Sequence, residues 1–471
     1  MRTIPGPLHR VRQGEDGLTL VEVVVAMMIL AVISTSVIYG MLQVLSMTRD
    51  SRAREVAANL AAEEIDLARD SADLFALLDG DRTVTLNGDR FTVRRTTQWV
   101  ADPATEVRCG AGGTGLRYKR VRVTVTWDGM RAATTPVQSV TVLNPRDKVN
   151  DPTKGTILVS VLGAGGTGRS GVTVTATPTA SVSGNTARPL TRAPALTDAQ
   201  GCSYVLMVTP GVYDVTVART GYVDTRQAES STQSVGVVQG TSVAVVVELD
   251  QHAQVDAALG AGYVAAPGES VWAPGDLPTS FVSTYASGGV FALRPATTTT
   301  DPSMRFRVYP FPSGYEVFAG TCAAADPAAW EPVVDNAQTL TGRRGAGIAV
   351  APGSAVAASV RTGVVRVDLG VAPAGTVRFV RAVAAAGSVP GQPGCDPTTL
   401  TFAGTAARPV PEDGRLTLLL PYGSWSLDHG VVGSADPPVA LTADRIVPVG
   451  VPVRTTVTPS GVVTFDPRSA S

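Results

Sequence analysis

Gly17 to Met47 reads GLTLVEVVVAMMILAVISTSVIYGMLQVLSM, an apolar run interrupted by one charge, Glu22. At about 1.5 Å per residue, Leu18 to Met47 forms a helix of about 45 Å, longer than the ~30 Å hydrocarbon core of a bilayer. A carboxylate inside such a span costs roughly 2.5–3.5 kcal/mol near its centre. Glu22 therefore asks for a partner, and an ionisable residue in a membrane segment points to function.

Upstream, residues 1–17 hold Pro5, Pro7 and three arginines and read as a leader without fixed structure. Downstream, no proline interrupts the chain before Pro103. Ala53, Val56, Ala57, Leu60, Ala61, Glu64, Ile65 and Ala68 recur at helical spacing on one face. The pattern predicts one helix from Leu18 to about Leu78, with Asp79–Gly80 as its C-terminal stop. Any bend in it would have to come from Gly40. Arg2, Arg10 and Arg12 before the span nearly balance Arg49, Arg52 and Arg54 after it, so charge bias does not orient it.

A chain of 471 residues with net charge −1 has room for several domains and gives no reason to expect nucleic acid as a partner. Lysine is confined to Lys119, Lys148 and Lys154, and Gly, Ala, Val, Thr and Pro dominate beyond residue 80, a composition of short strands and turns. Residues 81–145 alternate as strands. Asn87–Gly88 marks a hairpin, and Val121, Val123 and Val125 share one face. Pro145 to Pro152 is polar and reads as a linker, 146–153.

Three β-rich modules are expected beyond the linker, at 154–250, 251–345 and 346–471. The first and third share a pattern: Gly201, Pro210 and Tyr213 return at nearly constant spacing as Gly414, Pro421 and Trp425. The middle segment is strand-like but carries no clear boundary. The segment TDAQGCSYVLMVTPGVYDVTV reads as a hairpin closed at Pro210–Gly211, with Tyr213, Val215 and Val217 facing inward.

The four cysteines, Cys109, Cys202, Cys322 and Cys395, are far apart and form no CxxC pair, so a zinc site is not expected. Outside the cell disulfides are permitted. Of three pairings, Cys322–Cys395 with Cys109–Cys202 is preferred.

The N-terminal residues resemble the class III signal peptide of type IV prepilins and type II secretion pseudopilins. Gly17 takes the place of the last leader residue, Leu18 the first mature one, and Thr19 and Glu22 match the family's Thr and Glu. Leu18 stands where the family often has Phe. The resemblance implies cleavage between Gly17 and Leu18 by a membrane prepilin peptidase, and methylation of the new amino terminus. It also implies that Glu22 pairs with the Leu18 ammonium of a neighbouring subunit during assembly; pairing removes the penalty of burying either charge alone. The fold it implies is a spine helix, 18–80, carrying a small antiparallel head, 81–145: an α+β pilin unit. The sandwiches beyond it resemble the transthyretin-like or carboxypeptidase-regulatory kind.

Two plainer readings compete. A secretory signal cut near Ser34 or Ser36 is opposed by Glu22 in its apolar core and by the apolar run beyond Ser36. A simple single-pass anchor leaves Glu22 unexplained.

Catalytic chemistry is not expected. His9 lies in the leader, and His252 and His429 have acids beside them but no motif supplying a nucleophile. Asp198, Asp224 and Asp256 lack EF-hand spacing. Lys154 has no Asn on a closing strand with which to form an isopeptide bond. Trp272, Trp330 and Trp425 could stack on a sugar if exposed, but core packing is the preferred reading.

The expected protein is a minor, tip-type pilin-like subunit with no cofactor or metal. It spans the membrane once, its C-terminal bulk lies outside, and it reaches the cell surface or a pilus. Its partners are the peptidase and other pilin or pseudopilin subunits. A minor pseudopilin of type II secretion, or a membrane-anchored adhesin or carbohydrate-binding protein, is the alternative.

Overall fold

The computed structural model describes residues 20–71, 74, 77–100, 109, 118–130, 134–144, 151–283, 285, 289–297, 300–373, 375–449 and 453–470. The chain divides into two compact units. One comprises the N-terminal residues through Thr97 with Lys119–Asn144; the other comprises Gln98–Tyr118 and everything from Pro145 onward.

In the first unit, α1 (Leu20–Arg69) passes unbroken through Gly40. It ends at Arg69, well short of the expected Leu78. The sequence there turns to Asp and Ser, whose side chains compete for backbone hydrogen bonds, and Ser71 N–H reaches back to Ala68 rather than continuing the ladder. Asp79 is not part of a helix end: its carboxylate accepts from Thr97 N at 2.6 Å and Thr97 Oγ1 at 3.0 Å. Gly80 instead opens β1 (Gly80–Leu86).

β1 pairs with β2 (Asp89–Val100) across an Asn87–Gly88 turn in which both residues have positive φ, 52° and 85°. β3 (Tyr118–Trp127) and β4 (Val137–Leu143) complete a four-stranded sheet in the order β1-β2-β3-β4. Phe91, Val93, Val121, Val123 and Val125 point inward against Ala53, Ala57, Leu60, Ala61, Ile65 and Ala68 of the helix, forming one core. Small helix residues let the sheet approach closely, and valine suits the pleated face.

The second unit begins its strands with β5 (Gly155–Leu162), β6 (Thr173–Pro178), β7 (Cys202–Val208), β8 (Gly211–Ala218), β9 (Tyr222–Asp224), β10 (Ser230–Val237) and β11 (Ser242–Gln251). They form a sandwich of two sheets, β7-β5-β11-β9 and β10-β8-β6. β7 and β8 do not form the expected hairpin. β7 pairs with β5 and β8 with β6, so the chain crosses from one sheet to the other at Thr209–Pro210. Met207, at φ 58°, sits in the irregularity where the β5–β7 register shifts. Gly211, at φ 147°, lies where a Cβ would come within 2.3 Å of Ala187 N, so only glycine makes this crossing.

The same four-strand plan occurs three times. In the second copy β12 (Ala253–Leu259), β14 (Thr279–Ser283), β16 (Ser303–Val308) and β17 (Tyr315–Ala319) take the places of β5 to β8, with β13 (Val271–Trp272) and β15 (Val290–Leu293) added. β12 pairs with β16 and β14 with β17, both antiparallel. The third copy uses β21 (Gly363–Asp368), β22 (Arg378–Ala384), β24 (Arg415–Leu420) and β25 (Gly423–Val431), with β21 on β24 and β22 on β25. At equivalent places an N–H within one residue of the end of the first strand donates to the residue just before the third: Val161 to Gly201 O, Leu259 to Pro302 O and Leu369 to Gly414 O, at 2.8, 2.8 and 2.9 Å.

The middle segment does not end at 345. It contains β18 (Val333–Asp335) and β19 (Gln338–Thr341), and its closing strand β20 (Ala355–Val360) runs parallel to β12 as β11 does to β5. One residue, His252, separates β11 from β12, and Arg361–Thr362 separate β20 from β21. The third copy adds β23 (Thr399–Ala403), β26 (Val439–Ala440), β27 (Ile446–Pro448), β28 (Arg454–Val457) and β29 (Val462–Asp466); β30 (Ser469–Ala470) returns to pair with β19. Copies two and three share one continuous core from Ala253 to Phe465, which Val223 of copy one also joins, whereas the rest of copy one has its own.

Candidate functional site: the N-terminal helix

Gly17, Leu18 and Thr19 lie outside the described residues, and Glu22 lies within α1. The apolar residues of the first half of α1 face outward: Met27, Leu30, Ile38 and Leu45 are each 60–67% exposed. From Val23 the helix is long and apolar enough to cross a membrane, with mean hydropathy 2.3 over its most apolar window. Two adjacent hydroxyls are satisfied within the helix. Thr35 donates to Ala31 O at 2.6 Å and Ser36 to Val32 O at 2.8 Å, which suits a segment surrounded by lipid.

The second half of α1 meets the head through an ion cluster that the sequence pattern only half reveals. Glu64 lies on the buried face, its side chain 7% exposed. Its Oε1 accepts from Arg95 Nη1 at 2.6 Å and its Oε2 from Arg82 Nε at 2.8 Å. Arg95 Nε also donates to Leu78 O at 3.0 Å. An acid on an otherwise apolar stripe was the available signal, but arginines on β1 and β2 are recognisable as its partners only once the sheet is in place. Lys119, also buried, donates to Leu74 O at 2.6 Å and holds the connection between helix and sheet.

The remaining candidates are dispersed. Cys109, in the connection between β2 and β3, is bonded to Cys202 at the start of β7, and Cys322 to Cys395. Trp272, Trp330 and Trp425 are all buried, and the indoles of Trp330 and Trp425 donate to Ala324 O and Pro421 O. His252 occupies the junction of two sandwiches, while His429 on β25 has its pKa lowered by burial, with Arg445 and Arg378 adding to the effect. Asp198 and Asp224 cap their own loops, accepting from Cys202 N and Ala228 N, and Asp256 pairs with Arg305. Among the described residues no three His, Cys, Asp or Glu side chains converge as a metal site.

Residues 12–38 match the prokaryotic N-terminal methylation motif. The match includes Gly17, Leu18, Thr19 and Glu22 and the first part of α1, and does not extend to the head or the sandwiches.

No curated protein matches the chain. Among solved structures it is similar to the Bacillus anthracis TIE protein, at 11% identity over 78% of this chain and 70% of that one, with a TM-score of 0.19. A Streptococcal ancillary pilin (13%, 51% and 75%, TM-score 0.20) and BcpA, the major pilin subunit of Bacillus cereus (10%, 66% and 92%, TM-score 0.20), are comparable. At such scores these likenesses bear on neither function nor arrangement.

Proposed function

We propose that the protein is a minor, tip-type subunit of a type IV pilus or related filament, processed after Gly17 and assembled through α1. The methylation motif at residues 12–38, joined to an apolar helix that leaves its side chains unpartnered, carries this reading. The prepilin peptidase cleaves the Gly17–Leu18 bond and the new Leu18 ammonium is methylated. Glu22 sets the register by pairing with that ammonium on a neighbour, and Thr19 lies beside the processed end. The remainder of the chain stands outside the membrane, where the two disulfides are stable.

Three sandwiches beyond the head argue for the tip. A subunit repeated along a helical filament would have to find room for this bulk at every position, and a terminal subunit would not. Mass spectrometry of the mature N-terminus tests the processing directly: a methylated Leu18 is expected. A chain beginning at Met1, or near Ser36, in a host with the peptidase would overturn it.

A further inference from the structure

Within the second unit each sandwich seats its far end on the next in the same way. After β8, strand β9 of copy one packs Val223 into the core of copy two, and Gln227 in the loop that follows bonds Tyr315 Oη at 2.9 Å and Tyr309 N at 2.6 Å. After β17, the loop of copy two brings Gly320 and Ala324 against Pro421 and Gly423 of copy three, where an added Cβ would come within 3.0 to 3.3 Å of its neighbour. Both contacts fall on the turn between the third and fourth strands of the following copy. In copies two and three this turn is buried, with Tyr309 1%, Phe311 3% and Tyr422 5% exposed.

Copy three has the same far end, and among the described residues no sandwich covers it. Its loop after β21 leaves Val371 87% exposed, and the stretch from the end of β25 to β26 leaves Val431, Val432 and Val439 42%, 51% and 60% exposed. Hydrogen bonds from Val432 N to Val377 O and from Ala372 N to Glu412 O gather these segments at one end, with Glu412 and Asp413 on the exposed rim. Copy one has the complementary turn, on which no sandwich is seated among the described residues: Met207 is 44% exposed beside half-buried Thr209 and Pro210. Lys154, which donates to Thr209 Oγ1 at 3.0 Å, and exposed Arg188 stand beside that turn.

We infer that the far end of the third sandwich is a docking surface for the first sandwich of a second copy of this chain. It repeats between molecules the contact made twice within one. The two surfaces differ, so the association is head-to-tail and does not close on itself as a two-fold dimer. This inference does not depend on how the N-terminus is processed.

The test uses the full chain, one span per lipid nanodisc, followed by sedimentation velocity over a range of concentrations. Association into dimers and longer chains is expected. Val371→Asp or Met207→Asp should each weaken it by about tenfold or more, as losing an anchor at the centre of an interface does. Mixing the two variants should restore dimers alone, because each supplies the end the other lacks. Val334→Asp, at a residue 70% exposed on β18, should associate as the parent does. Should either variant fail to fold, the charge reversal Glu412→Lys with Asp413→Lys, on an exposed loop, should weaken association likewise. Discs that stay single at every concentration, or a mixture that restores nothing, would overturn the inference. So would association that survives Met207→Asp, which would mean that the valine-lined end takes a different surface or partner.

Discussion

Glu64 of α1 and Arg95 of β2 meet at 2.6 Å beneath the head sheet, and Arg82 of β1 takes the other carboxylate oxygen at 2.8 Å. One helix residue thus fixes the positions of two adjacent strands. Removing one partner of a buried pair leaves the other charges without compensation, which is worse than never having had the pair. Because Arg82 is 36% and Arg95 23% exposed, solvent recovers part of the loss.

Glu64→Ala is therefore expected to destabilise the head by roughly 2–4 kcal/mol, short of the upper range for fully buried pairs. Hydrogen exchange should quicken first in β1 and β2, while the three sandwiches keep their protection. Uniform loss of protection across the chain would argue against this placement of Glu64.

A second carboxylate ties copy two to copy three. Glu269 is pushed upward by burial, yet hydrogen bonds from Arg366, Thr417, Tyr263 and the Ala266 N–H outweigh burial and bring its pKa to about 2, from 4.5. A pKa depressed by folding contributes stability that is present above the unfolded value and lost as pH falls towards the folded one. Thermal unfolding between pH 6 and 2 should therefore show an extra loss below about 4.5 in the parent chain. Glu269→Gln should start less stable and lack that component; parallel curves would refute the assignment.

What the sequence disclosed follows the range of the forces involved. The apolar stripe from Ala53 to Ala68, the Asn87–Gly88 turn and the Val121, Val123, Val125 face are local patterns, and the structure forms each one. The crossing at Thr209–Pro210 was invisible because strand, Pro-Gly, strand encodes a hairpin or a change of sheet equally well; distant β5 and β6 decide which. The middle module was expected to be β-rich, but its share in the repeated pattern escaped notice because its turn is lengthened to Tyr309–Gly314, although Tyr315 Oη reaches back to Tyr309 O as Tyr213 Oη does to Thr209 O. The boundary at 345 failed for a related reason: β20 belongs with β12, nearly a hundred residues earlier, and no local signal marks a parallel closing strand.

The two disulfides differ in access. Cys109 and Cys202 are each 1% exposed, whereas Cys322 and Cys395 are both only half-buried. Graded reductant followed by thiol mass-tagging should open Cys322–Cys395 first. Replacing both of its cysteines by serine should cost about 4 kcal/mol for a loop of 73 residues, on the chain-entropy estimate. The loss should fall on the shared core of copies two and three, because the bond joins β17's loop to the segment before β23. Simultaneous reduction of both bonds would contradict the difference in burial.

The proposed role of Glu22 predicts a separation of insertion from assembly. Glu22→Leu removes a charge that costs roughly 2.5–3.5 kcal/mol in the middle of a span, so membrane insertion should be as good or better. Cleavage after Gly17 should continue, because the leader and the bond are unchanged. Incorporation into filaments should fall sharply, because the neighbour's Leu18 ammonium would then enter an apolar core without a counter-charge. Glu22→Asp, which keeps the charge on a shorter arm, should recover part of the incorporation, while Glu22→Gln, which keeps the shape without the charge, should not. Quantifying the subunit in sheared filaments against the membrane fraction reads both steps at once. If Glu22→Gln incorporates as the parent does, the carboxylate serves some purpose other than neutralising an amine.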